Sequence, residues 1–188
     1  YAKRIGVDYK LIEESRFPHP AFDRFQLFHQ DNSEYDQILY VDCDMMLHEM
    51  TPNIFEWTKE RDEQFFATPD TQGDDGYFNS GFFVIKRPLI NELSPLIDDA
   101  VGRHLKSAWK DQDAFNEILP KEKYWCKLSR DWNGVMALSR PLFSIHYAGM
   151  RKHDYTPEKH RKRIKDKIYR MDIMTEEQIL SKYIHSRI

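Results

Sequence analysis

The chain has 188 residues, 40% hydrophobic and 31% charged, with 28 Lys and Arg against 31 Asp and Glu for a net charge of −3. That is room for one compact domain, with no overall charge bias of the kind a nucleic-acid binder carries. Two cysteines, Cys43 and Cys126, exclude a disulfide framework or a four-cysteine zinc site. Only 7 glycines leave no Walker or dinucleotide pattern, so a bound phosphate would need another kind of cradle.

In chain order, Tyr1-Ala-Lys-Arg-Ile-Gly6 reads as the last turn of a helix, with basic side chains at the negative dipole end and Gly6 as the left-handed stop. A strand is predicted over Val7-Asp-Tyr-Lys-Leu-Ile12. A chain that opens on a helix end gives the expectation that a first strand and most of a first helix precede it. Apolar groups at 21, 25 and 28, beside Phe22 and Leu27, have helical spacing. Asp36-Gln-Ile-Leu-Tyr-Val-Asp42 is an apolar run bounded by acids, as in a buried parallel strand. Phe65-Phe-Ala-Thr68 and Phe82-Phe-Val-Ile85 are further strands. Residues 88–105 are helical, with Pro95 starting a second helix after Ser94. Asp111 to Leu119 is another helix, ended by Pro120, and Leu142-Phe-Ser-Ile-His146 is a late strand. The tail is helical over 157–170, and Thr175-Glu-Glu-Gln178 opens a second segment with a capping box. No repeat or low-complexity linker divides the chain. The alternation predicts an α/β fold with a mainly parallel central sheet flanked by helices.

The central motif is Ile38-Leu-Tyr-Val-Asp42-Cys-Asp44. D-x-D spacing occurs twice, about what the aspartate content gives by chance, so position carries the information. At the C-terminal end of a buried strand the backbone turns into the crevice where open α/β sheets bind ligands. Two carboxylates there repel each other unless a cation sits between them, and hard oxygen ligands point to Mn²⁺ or Mg²⁺. Capping of the following turn is the plain alternative. Haloacid-dehalogenase-type phosphatases use similar grammar with the first Asp as nucleophile, but Met46 stands where they normally carry Thr or Val.

Three more motifs follow. Tyr77-Phe-Asn-Ser-Gly81 joins a polar turn to an apolar strand, and Gly81 is placed where backbone or ligand could approach closely. Asp111-Gln-Asp-Ala-Phe-Asn116 puts acids and amides at a helix start, where capping alone would account for Asp111. His146-Tyr-Ala-Gly149-Met-Arg-Lys152 follows a strand and suits metal plus phosphate.

The order Val41-Asp-Cys-Asp44, Phe78-Asn-Ser-Gly81, Asp111-Gln-Asp113 and His146-x-x-Gly149-x-x-Lys152 resembles the glycogenin and lipopolysaccharide-galactosyltransferase group, glycosyltransferase family 8. These are metal-dependent, retaining enzymes of GT-A fold. The resemblance covers roughly residues 1–153, and implies a catalytic domain over 1–156, incomplete at its N-terminus, with a helical extension over 157–188 packing on it. It implies that Asp42, Asp44 and His146 bind Mn²⁺ (or Mg²⁺), which bridges the donor's diphosphate, with Gly149 and Lys152 on the phosphates. Asp75, Asn79 and Gly81 would lie along the donor sugar, and Asp111 with Gln112 near the anomeric carbon. Tyr40, beside the first motif, could pack on sugar or base. The chain departs from the family in carrying His153-Asp154 where Pro-Trp usually follows the lysine.

The expected activity is therefore hexose transfer from a nucleotide-sugar, a UDP-sugar by resemblance, to a glycan, glycolipid or protein acceptor, with retention. The alternatives are a phosphohydrolase with Asp42 as nucleophile, and a non-catalytic domain that only binds nucleotide-sugar. Residues 158–170 hold seven Lys and Arg against two acids, with Ile164, Ile168 and Met171 on one stripe. This is either a solvated helix face or a peripheral contact with an anionic membrane. The cysteine count and the lack of a spanning run point to a cytoplasmic protein.

Overall fold

Gly6 has φ +71° and ends a short helix, α1 (Ala2–Ile5), while the Val7 amide returns 3.1 Å to the Ala2 carbonyl. That is the left-handed stop read from the sequence. In a computed structural model, residues 1–29, 32, 34–47, 51–70, 76–135 and 143–146 are described. A 3-10 turn, Pro20–Phe25, runs into α2 (Gln26–His29). Then come β1 (Gln37–Val41), β2 (Met45–Leu47), α3 (Ile54–Lys59), β3 (Phe65–Pro69) and β4 (Phe78–Lys86). Next are α4 (Arg87–Leu93), a 3-10 turn at Ser94–Leu96, α5 (Ile97–His104), α6 (Lys110–Ile118) and α7 (Lys121–Tyr124). The last described elements are β5 (Trp125–Lys127), a 3-10 turn at Arg130–Trp132, β6 (Gly134–Val135) and β7 (Ser144–His146). The chain divides into two compact units, Ala2–Val41 with Asn53–Leu128, and Asp42–Pro52 with Ser129–Ile188 and Tyr1.

The first unit carries a four-stranded sheet in the order β1-β4-β3-β5. β1 pairs antiparallel with β4, from Gln37 opposite Lys86 to Val41 opposite Phe82. β3 is also antiparallel to β4, with a register shift between Ala67 and Pro69, and only β3 with β5 is parallel. The sheet is thus mixed, which corrects the mainly parallel expectation. The physical reason is the connection: residues 70–77 are too few for a parallel crossover, which needs a dozen or more residues. The Asp70 amide also bonds the Tyr77 carbonyl at 2.8 Å, closing the neck of that connection. Near-continuous apolar runs misled because β4 is buried on both faces over most of its length, and burial, not strand direction, sets that pattern.

Phe115 of α6 sits inside the core of this unit, edge-on to Phe25, Phe28, Phe65, Phe78 and Phe83 with centroids 5.1–5.8 Å away. Such edge-to-face contacts suit the ring quadrupole and add to plain area burial. Pro95 falls in the short turn between α4 and α5, as its missing N–H requires. The Ser94 hydroxyl ties that turn to the Phe28 carbonyl at 2.8 Å. Residues 7–12 lie outside both sheets, with Tyr9 and Leu11 exposed, so the strand predicted over Val7–Ile12 is not formed. Alternation marks a chain able to extend, but a strand also needs partner hydrogen bonds, which periodicity cannot supply.

The second unit holds a three-stranded sheet in the order β2-β7-β6. β7 is antiparallel to β2, with His146 opposite Met45, and parallel to β6, with His146 opposite Val135. Trp132 and Phe143 pack at 4.8 Å between centroids. The Ser144 hydroxyl donates to the Trp132 carbonyl and that of Thr51 to the Phe143 carbonyl. The helices predicted over 157–170 and after Thr175 lie outside the described residues. No helix among the described residues is long and apolar enough to cross a membrane.

Candidate functional site

Asp42 directly follows β1 in sequence, and the Met45 amide closes a turn back to the Asp42 carbonyl at 3.0 Å. The antiparallel register that sets Met45 opposite His146 brings Asp44, one residue before β2, to the end of β7. His146 Nε2 is 3.2 Å from Asp44 Oδ1 and 3.6 Å from Asp42 Oδ2. One ligand atom from each of the three residues lies within 4.8 Å of the others. The His146 side chain is only 4% exposed, while Asp42 and Asp44 are 20% and 32% exposed. A cation held there would be anchored from below and open from above. Two hard carboxylate oxygens with one imidazole nitrogen form a donor set that suits Mn²⁺ and accepts Mg²⁺ less readily. His146 Nδ1, on the other side of the ring, is 2.8 Å from Asn133 Oδ1.

The larger unit builds a separate polar network at the start of α6. Arg24 Nε is 3.0 Å from Asp111 Oδ2, both side chains being almost fully buried. The Arg24 guanidinium also donates to the Ser80 carbonyl, and the Ser80 hydroxyl donates to Asp111 Oδ2 at 3.0 Å. The Gln112 side-chain carbonyl accepts the Ser80 amide at 3.1 Å, while its NH₂ donates to Asp70. Asn116 clasps both backbone groups of Phe78 at 3.0 Å. Asp111 lies inside the first turn of α6, with Trp109 at the cap position, so its carboxylate serves this network.

Burial, then its hydrogen bond to Asp113, pushes the Tyr77 phenol above its ordinary range. Burial works against the Asp113 charge, yet hydrogen bonds from Tyr77, Ser107 and the Trp109 amide hold its carboxyl low. A raised phenol contributes stability that is present below the unfolded value near 10 and is lost as pH rises toward the folded one. Alkaline unfolding is therefore expected to steepen above about pH 10 in the wild type. Tyr77→Phe should flatten that slope, as followed by denaturant midpoints from pH 8 to 11; an unchanged slope would refute the linkage.

Asp42, Asp44 and His146, the set the family resemblance implies, lie together. Asp111 and Gln112 are adjacent to Ser80 and, through it, to the strand carrying Asn79 and Gly81, where the Asn79 side chain accepts the Gly81 amide at 2.9 Å. The Tyr40 ring stacks on Phe83 at 5.2 Å and lies 5.0 Å under the Arg24 guanidinium, while remaining partly exposed. Asp75, Gly149 and Lys152 lie outside the described residues.

Sequence reasoning missed Arg24, Asp70, Ser80 and Asn133. Arg24 carried a signal: a charged residue between Phe22 and Phe25, inside an apolar helical stretch, needs a buried partner. Asn133 carried none. Because Arg24 and Asp111 share one network, a cycle of Arg24→Met and Asp111→Asn is expected to give a coupling of about 0.5–3 kcal/mol. Chemical denaturation of the two single variants and the double variant measures it, and additive losses would mean the pair is not coupled.

No family profile matches the sequence, and no curated protein matches it. Solved structures of similar fold do. A glycosyltransferase involved in glycosylation of the major capsid of PBCV-1 is 12% identical at TM-score 0.62, over 86% of this chain and 85% of that one. The glycosyltransferase GlyE of Streptococcus pneumoniae TIGR4 is 17% identical at TM-score 0.56, over 95% of this chain and 48% of that one. The WbbM bifunctional glycosyltransferase is 16% identical at TM-score 0.50, over 90% of this chain and 38% of that one. The chain thus spans about half of GlyE and less of WbbM. These likenesses show that the chain shares its fold with solved glycosyltransferases.

Proposed function

We propose that this chain is a metal-dependent glycosyltransferase that moves a hexose from a nucleotide-sugar, a UDP-sugar, to a glycan, glycolipid or protein acceptor with retention of configuration. The observation that carries the reading is the Asp42–Asp44–His146 cluster in a fold shared with glycosyltransferases. A bound Mn²⁺ or Mg²⁺ would neutralise charge on a diphosphate leaving group. Asp42, Asp44 and His146 would hold it, and Gly149 and Lys152 would contact the phosphates as the family resemblance implies.

Asp75, Asn79, Gly81 and Tyr40 are assigned to donor binding, and Asp111 with Gln112 to the reacting sugar. Asp111 acts by accepting from a sugar hydroxyl, because a carboxylate already engaged by Arg24 and the Ser80 hydroxyl is a weakened nucleophile. The basic segment 158–170 is assigned to peripheral contact with an anionic membrane surface, at the cytoplasmic face.

The reading is tested by incubating the chain with a panel of UDP-hexoses and Mn²⁺, with and without EDTA, and following UDP release. Metal-dependent release from one donor supports it. Donor binding without release would favour a binding module, and phosphate release from phosphomonoesters would favour the Asp42 phosphohydrolase.

A further inference from the structure

We infer that Asn133 is the positioning residue of the candidate cation site: its side-chain carbonyl holds the His146 proton on Nδ1 and so keeps the Nε2 lone pair available to a cation. The inference rests on the divalent-cation reading of the Asp42–Asp44–His146 cluster and adds to it a residue that touches no cation itself.

A neutral imidazole carries one proton, on one of two nitrogens, and the nitrogen without it is the ligand atom. Asn133 Oδ1 lies 2.8 Å from His146 Nδ1. A carbonyl oxygen only accepts, so this bond requires the proton on Nδ1. On the far side of the ring, Nε2 faces Asp44 Oδ1 at 3.2 Å and Asp42 Oδ2 at 3.6 Å. Those carboxylates also only accept, and they compete with Asn133 for the same proton. If the proton moves to Nε2, the ring becomes a donor to Asp44 and no lone pair is left for a cation. The acidic pair is then partly satisfied by a hydrogen bond, and the site closes on itself.

Three features weight the competition toward Asn133. Asn133 and His146 are each 3% exposed, so bulk water does not stand in readily for either partner. Asn133 is held by the Arg130–Trp132 turn, with its amide on the Arg130 carbonyl at 3.3 Å and Ser129 capping the turn onto the Asp131 amide at 3.2 Å. Trp132 and Phe143, one residue before Asn133 and three before His146, pack against each other and steady both chain segments. Outer-shell partners of metal-binding histidines are commonly of this kind, and their loss typically weakens metal binding 10–100-fold.

The experiment uses the full chain and two readouts other than turnover. Mn²⁺ binding is titrated by the paramagnetic resonance signal of the free ion, and the His146 tautomer is read from ¹⁵N shifts of metal-free protein at a pH where the ring is neutral. Wild type is expected to carry Nδ1–H and to bind Mn²⁺. Asn133→Asp, which preserves an acceptor, should keep Nδ1–H and bind at least as tightly. Asn133→Leu should move the proton to Nε2 and bind about 10–100-fold more weakly. Wild type with the proton on Nε2, or Asn133→Leu binding Mn²⁺ as tightly as wild type, would overturn the role of Asn133 and leave the cation reading intact. Failure of the wild type to bind Mn²⁺ would overturn both. Should Asn133→Leu not fold, the wild-type tautomer, which needs no substitution, decides the question.

Discussion

Asp44→Ala is expected to abolish Mn²⁺-dependent donor binding and UDP release while leaving the fold in place. Asp44 supplies one of three ligand atoms gathered within 4.8 Å. Losing a ligand should cost more than the 10–100-fold that follows loss of an outer partner. The metal-free stability should change by no more than about 1 kcal/mol, because the Asp44 side chain is one-third exposed and such ion pairs contribute little. The contrast is read most directly by thermal denaturation with and without Mn²⁺. A ligand at 100 times its Kd stabilises the native state by about 2.7 kcal/mol, so the wild type should gain and the variant should not. An Mn²⁺-dependent gain of the same size in Asp44→Ala would remove Asp44 from the site.

Phe115→Ala is expected to destabilise the larger unit by about 3–5 kcal/mol, the range for emptying a buried Phe site. The ring meets five aromatic neighbours edge-on. Those neighbours come from the first 3-10 turn, α2, β3 and β4, so no single segment can shift to fill the void. Native stability is usually about 5–15 kcal/mol, which makes this a large share of the total. Phe115→Leu keeps most of the volume and should cost less, about 1–1.5 kcal/mol. Urea denaturation distinguishes the two: the midpoint should fall with the slope unchanged. A loss below 1.5 kcal/mol for the alanine variant would show that the aromatic cluster collapses around the gap.

Much of this architecture was legible where a local rule was enough. The apolar run between Asp36 and Asp42 became β1, though half-buried, antiparallel and at the edge of the described sheet rather than buried and parallel; Gly6 took the left-handed stop, and Pro95 broke the 88–105 helix where a proline must. Strand direction was not legible, because periodicity reports burial and says nothing of which way a neighbour runs. The predicted strands at 65–68 and 82–85 leave thirteen residues between them, room for a crossover; only the longer strands actually formed shorten the link to the eight residues 70–77. Short elements such as β2, β5 and β6 lie below the length at which periodicity can speak. The Asp42–Asp44–His146 cluster was readable because strand ends and residue chemistry coincide there. The Asp111 network with Ser80 and Arg24 was not legible, because its buried partner Arg24 belongs to a segment far earlier in the chain. Asn133 is an ordinary polar residue whose meaning exists only through the ring it faces.

The order of strands in the smaller sheet has a consequence for the order of assembly. β7 is its middle strand; its pairing with β6 is local, but joining it to β2 closes a loop of about a hundred residues, whose entropy must be met before that ladder returns energy. By contrast, the β3–β4 hairpin and the α5–α6 pair join neighbours in sequence. Rapid early folding therefore belongs to the larger unit, and the ladder that seats His146 beside Asp44 belongs to the late, slow phase. A divalent ion added to a refolding chain would in that case accelerate nothing at the start; it would lock the final step and slow the reverse one.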